Sequence, residues 1–290
     1  MAIKRINFIA LALISTAAPA QQPLEGVEVL GNKHISRDLV LKDFPIRTGT
    51  PFGPDFSTFR SWCDQLEERL HVPFARCGMV GYGGGKVYAV VDLVEENEQN
   101  KIAVQNRTTT HRDITLDPAI FQLSRQFTSI WIDKLKQNAN ISHTITASAF
   151  LSFKDPDLAS ISNELFQLAS AQKQDIFKVL AYSKNDDQRA EAARLLNWCG
   201  DPDSAIPVAI HAIQDDNSVV RNNIVQFISY FFDYTNTEDT NLLISDLAWQ
   251  LNMPSHGDRN KALGVLFLLI QKHPEIKKLL AGWPASRSAT

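Results

Sequence analysis

The chain repeats itself, and a repeated helical pattern restricts its architecture more than any other feature of the sequence. Arg189-Ala190-Glu191-Ala192-Ala193-Arg194-Leu195-Leu196 is followed thirty-two residues later by Arg221-Asn222-Asn223-Ile224-Val225-Gln226-Phe227-Ile228, with small or apolar positions coinciding. Arg259 opens a third copy after thirty-eight residues, where Ala262 and Leu266 take the places of Ile224 and Ile228. The copies lie among short amphipathic helices separated by polar and Gly/Pro punctuation. Such a unit cannot bury its own apolar stripe, so stacking against its neighbours is the expected solution. An all-α repeat domain is therefore expected over residues 155–283.

The run GDPDSAIPVAIHAIQDDNSVVRNNIVQFI resembles a HEAT-like repeat of the kind seen in bilin-lyase-type solenoids, through Gly200, Asp201, Ala205, Ile206, Pro207, Asp216, Val220 and Arg221. The resemblance implies a Val-Arg pair opening the second helix, with Val220 in the core and Arg221 near the turn between repeats. Structural parts are thereby implied for Arg189, Asp216, Val220, Arg221 and Arg259, with Arg189 and Arg221 paired to turn carboxylates such as Asp187 and Asp216. A concave, protein-binding side is implied as well. Tyr230, Phe231, Phe232, Tyr234, Trp249 and Trp283 read as core aromatics.

Residues 24–96 have a different texture. Val27 and Val29 alternate ahead of Gly31-Asn32, which is a short strand ending in a turn. Ser36 is a fair N-cap for a helix carrying Leu39 and Val40 that stops near Asp43, ahead of Pro45. After Gly49, Pro51 and Pro54, the residues Phe56, Phe59, Cys63, Leu66 and Leu70 fall on one helical stripe. Residues 74–82 and 86–94 then form two strands around Gly83-Gly84-Gly85, a hairpin turn and not a P-loop, since Val87 follows Lys86 where Ser or Thr is required. The last strand is apolar on both faces and should be central. The fold class expected is a small α+β domain, β-α-α-β-β with a three-stranded mixed sheet, followed by an all-α HEAT-like solenoid.

This first module resembles the POTRA domains of outer-membrane barrel assembly proteins and two-partner secretion transporters. The resemblance rests on the strand running into Gly31-Asn32 and Ile35, on Gly49-x-Pro51-Phe52, and on a last strand ending in Val94-Glu95. It implies binding of polypeptide at the edge of the second strand, through Phe74, Arg76, Gly78, Val80 and Tyr82, by strand addition. The alternative is an edge covered by the second domain or by a partner subunit. Those families usually place a transmembrane barrel after the module, whereas here helices follow.

Cys63 on the helical stripe and Cys77 on the inward parity of the second strand both point to one core. A disulfide between them and a pair of buried thiols are both compatible with that placement. Residues 97–153 read as a linker and a helical connection. Asp117-Pro118 opens a helix carrying Ile120, Phe127, Ile130, Trp131 and Leu135, and residues 138–153 fit neither a helical nor a strand period.

Lys4 and Arg5 precede an apolar run, and Ala18-Pro19-Ala20 supplies small residues at a cleavage site, so residues 1–20 read as a signal peptide and the destination as periplasmic, with secretion as the alternative. Losing Lys4 and Arg5 makes the formal net charge of −3 more negative by two, which argues against nucleic acid as a partner. No stretch is long enough to span a bilayer. His34, His71, His111, His143, His211, His256 and His273 lack metal-ligand spacing, no nucleophile elbow is present, and His211 reads as a partly buried helix residue. No cofactor, metal site or catalytic residue is expected. The expected function is an exported, non-enzymatic adaptor or scaffold that holds protein or extended polypeptide. The alternatives are an accessory factor in envelope protein assembly or secretion, a structural or inhibitory envelope protein, and a bilin-lyase-like enzyme, which a signal peptide contradicts. The sequence sets no oligomeric state.

Overall fold

The computed structural model describes residues 23–50, 56–82, 86–101, 112–137, 139–274 and 276. The expected signal peptide, Pro51, Phe52, Pro54, the Gly83-Gly84-Gly85 turn, His111 and Trp283 lie outside them.

The first part is a three-stranded mixed sheet with helices on one face. Strand β1 (Leu24–Leu30) lies parallel to β3 (Lys86–Val94), and β2 (Phe74–Tyr82) pairs antiparallel with the other side of β3, giving the order β1-β3-β2. The central strand is the last one, as its two apolar faces require. Helix α1 (Arg37–Val40) begins at Ser36, whose hydroxyl accepts the Leu39 amide. The expected single second helix is two, α2 (Phe56–Asp64) and α3 (Leu66–Leu70), separated at Gln65. The apolar stripe nevertheless runs through the break, because Phe59, Trp62, Leu66 and Leu70 are all buried against Ala75, Ala89, Val91 and Leu93. Arg69 ties these helices together by donating to the carbonyls of Leu39, Val40 and Lys42.

The chain then enters α4 (Pro118–Lys136), a hairpin of β4 (His143–Ile145) and β5 (Leu151–Phe153), and seven further helices: α5 (Pro156–Ala171), α6 (Lys173–Tyr182), α7 (Asp186–Leu195), α8 (Pro202–Ala212), α9 (Ser218–Phe231), α10 (Thr237–Gln250) and α11 (His256–Lys272). The hairpin settles the segment whose period was ambiguous. Three-residue strands are too short to display alternation.

The helices contact one another in a regular order. Helices α6 and α7, α8 and α9, and α10 and α11 pair; α7, α9 and α11 touch in series, as do α6, α8 and α10. Two layers result. Ala192, Leu196, Ile224, Ile228, Ala262 and Leu266, the coinciding positions of the repeat, are buried between them, as is Val220. Helix α4 and the hairpin belong to the same core through Leu116, Ile120, Phe127, Leu151 and Phe153, so the helical unit starts well before residue 155. Trp198 locks the hairpin down, its indole N–H donating to the Leu151 carbonyl at 2.9 Å. Phe231 is fully buried, whereas Tyr234 is exposed, so the aromatic group is only partly core. His211 is exposed and not buried as expected, since it falls on the solvent side of α8.

Candidate interaction surface

Strand β2 has a neighbour on one side only. Among the described residues no strand pairs with its other border. Cys77 of β2 is joined to Cys63 of α2 by a disulfide, which fixes the strand to the helical side of the sheet. The Ala75 amide does not serve the ladder; it donates to Glu67 Oε1 of α3 at 2.9 Å. Backbone groups alternate sides along an antiparallel strand, so the amides of Cys77, Met79 and Gly81 share the outward direction of Ala75. Glu67 thus closes the first position of the border and leaves the following ones.

Phe74, Arg76, Gly78 and Val80 share the face of β2 opposite the core helices and oppose Val94, Asp92, Val90 and Tyr88 of β3, and the register ends at the pair Tyr82 and Lys86. This face is covered in part. Val90, Asp92 and Val94 are buried although they point away from the module's own core. Arg76 is exposed yet donates to the Ser218 hydroxyl at the start of α9, at 2.9 Å. Nothing lies within 4 Å of the place a Cβ would take on Gly78, so the sheet is open there.

Asp92 is the polar centre of the covered patch. Its Oδ2 accepts the amide of His256, the first residue of α11, at 2.7 Å, and its Oδ1 lies 3.0 Å from Nη2 of Arg259. Burial raises the Asp92 pKa above the ordinary value, and the His256 amide and the Arg259 charge oppose that rise without cancelling it. Glu95, also buried, accepts the amides of His34 and Ile35 and so pins the loop after β1 to the end of β3. Gly31-Asn32, Ile35 and Glu95, met in sequence as separate signals, thus meet in one corner.

The repeat-signature arginines form a series. Arg189 bonds the Ser183 carbonyl, both Asp215 oxygens and Asp216, and pairs with Asp186. Asp187, the expected partner, is replaced by Asp186, one residue nearer the helix start. Arg221 bonds the carbonyls of Asp215 and Asp216 and places its Nε and Nη2 on Asp258 at 3.0 and 2.7 Å. The expected Asp216 carboxylate is therefore not its partner; only the backbone of that residue is. Arg259 bonds the Met253 and Pro254 carbonyls and reaches Asp92.

Lys261 on α11 sits between α11 and α9 with only long contacts, 3.4 Å to the Asn222 carbonyl and 3.4 Å to Gln226 Oε1. Burial pushes its pKa down to about 8, and the Asp258 charge opposes this weakly. Gln226 in turn donates to the Tyr230 hydroxyl at 2.6 Å. The free thiol Cys199 is buried, and burial pushes its pKa up to about 12, the opposite of what a nucleophilic cysteine needs. Among the described residues no group of His, Cys, Asp and Glu could hold a metal ion, and no helix is long and apolar enough to cross a membrane. A cleft beside α6 carries Asp117, Asp175 and Lys178, which are engaged in helix capping and a surface ion pair.

Comparison of the chain with protein-family models, curated proteins and solved structures gives no match.

Proposed function

We propose that this chain is an exported, non-enzymatic adaptor in which a POTRA-like module takes up an extended polypeptide along β2 while HEAT-like helical layers carry it. The observation that supports the reading best is the outer border of β2, to which no strand pairs among the described residues, with outward amides at Cys77, Met79 and Gly81 and an open space over Gly78. An incoming strand gains affinity from main-chain hydrogen bonds, and a side chain placed over Gly78 gains contact with the sheet. The signal-like residues 1–20 and the Cys63–Cys77 bridge agree with an oxidising destination.

Photocrosslinking from single positions in intact cells tests this. A photoreactive residue at Gly78 or Val80 is expected to give a discrete adduct with a polypeptide, while one at exposed Tyr182 on α6 is not. Met79→Pro, which removes an outward amide while leaving the ladder side untouched, should abolish the adduct. Equal adducts from Val80 and Tyr182, or an adduct indifferent to Met79→Pro in a folded protein, would sink the proposal.

A further inference from the structure

We infer that the α+β module is the end unit of the helical layers, with Asp92 of its central strand standing where the next helical unit would present an aspartate. Arg189, Arg221 and Arg259 are each the fourth residue of their helices, α7, α9 and α11. Each sends Nη1 back to the carbonyl six residues earlier, Ser183, Asp215 and Met253. Each then turns the rest of its guanidinium on a carboxylate from further along the stack: Asp215 for Arg189, Asp258 for Arg221. After α11 no further such helix is described, and the carboxylate comes from the sheet, 167 residues back in sequence.

A second observation points the same way independently. Asn185 and Asn217 cap α7 and α9 with their own side chains, whereas Ser255, at the corresponding place before α11, makes no side-chain cap bond. The first amide of α11 is satisfied by Asp92 instead. An unsatisfied amide at a buried helix start is costly, so this helix is built to receive an acceptor from outside itself. Val90 and Val94 are buried beside that acceptor, and Arg76 reaches α9 at Ser218.

Two consequences follow. The start of α11 depends on the sheet for its order, and the outer face of the sheet around Asp92 is closed to partners, while the outer border of β2 takes no part in that contact. The α+β module thus docks on the start of α11.

Hydrogen exchange on the full chain tests the assignment. Asp92→Ala should speed exchange of the amides of residues 256–259 by about tenfold or more, because the amide acceptor and the ion pair are both lost. Asp92→Asn, which keeps an acceptor for the His256 amide, should do so less. Should Asp92→Ala fail to fold, Arg259→Gln serves in its place; it keeps the Asp92 cap on the His256 amide and removes the ion pair together with the guanidinium bonds to the Met253 and Pro254 carbonyls, and it should speed exchange at 256–259 while leaving residues 186–189 at the wild-type rate. Exchange at 256–259 unchanged in the folded variant, or faster to the same degree at 186–189, overturns the inference.

Discussion

The Asp92 carboxylate and the Arg259 guanidinium, one on a strand and the other on the last described helix, meet at 3.0 Å. The two groups differ in environment. Asp92 is buried, and Arg259 keeps about a third of its side chain in solvent. The carboxylate therefore bears most of the desolvation, which is why its pKa lies above the ordinary 3.8 despite a cation and an amide beside it.

That direction sets a pH dependence. A carboxyl group whose folded pKa exceeds its unfolded value binds more protons when folded, so its contribution to stability falls as pH rises through the interval between 3.8 and the raised value. Measured by urea unfolding over an acidic pH series, the wild type should gain stability relative to Asp92→Asn as pH falls through that interval. A difference between the two proteins that is flat with pH, or that runs the other way, would contradict the burial of this group.

Lys261 leads to a prediction of the opposite kind. Its folded pKa, about 8, lies below the ordinary 10.5, so the unfolded chain holds more protons between these values and stability should rise with pH across that window. Below pH 8 the charged amine carries the full cost, which a shift of this size puts at about 3 kcal/mol as an upper figure. Lys261→Met should accordingly stabilise the protein at pH 7, by about 1–3 kcal/mol. The advantage should shrink by pH 10. Denaturant unfolding of both proteins at the two pH values reads both statements, and a destabilised methionine variant at pH 7 would refute them.

Periodicity made the strands of the first module, the central place of the last strand and the repeated helix positions readable, because each depends on one face of one element. The break at Gln65 left no such mark, since the stripe of Phe59, Trp62, Leu66 and Leu70 continues across it. Asp92 lay in plain view inside an apolar strand. Nothing in its neighbourhood announced that a helix start and an arginine from the far end of the chain would cover it, because alternation reports that a face is apolar and not what buries it. The arginines were legible as a repeated residue type, but their partners were not. Asp186 and Asp187 differ by one position, and only the helix rotation decides which reaches Arg189.

The Cys63–Cys77 bond closes a separation of 14 residues, for which loop-closure entropy predicts about 3 kcal/mol of stabilisation. Replacing both residues by Ala should lower the unfolding free energy by about 2–3 kcal/mol, read by chemical denaturation. Cys199 then becomes the one thiol reporter in both proteins. Its burial and raised pKa predict no alkylation in the folded state at pH 8, and prompt alkylation in denaturant. Labelling of folded wild-type protein at more than one cysteine would mean that the bridge is absent.

Gly31 joins the first strand to the loop that Glu95 holds, and its backbone has φ +82°, a region that L side chains rarely adopt. A Cβ there would lie 2.1 Å from the Leu93 carbonyl oxygen, a backbone atom of the central strand that cannot move aside without breaking the ladder. Gly31→Ala should therefore cost about 3 kcal/mol, the strain of the φ value and the clash acting together. Gly49 makes the internal control. Its φ is similar, +83°, but nothing lies within 4 Å of its added carbon, so Gly49→Ala carries the backbone strain alone. Thermal melts should place Gly31→Ala well below Gly49→Ala. Equal melting temperatures would show that the corner formed by Gly31, Leu93 and Glu95 yields easily, and the sheet's anchoring of its first loop would have to be drawn differently.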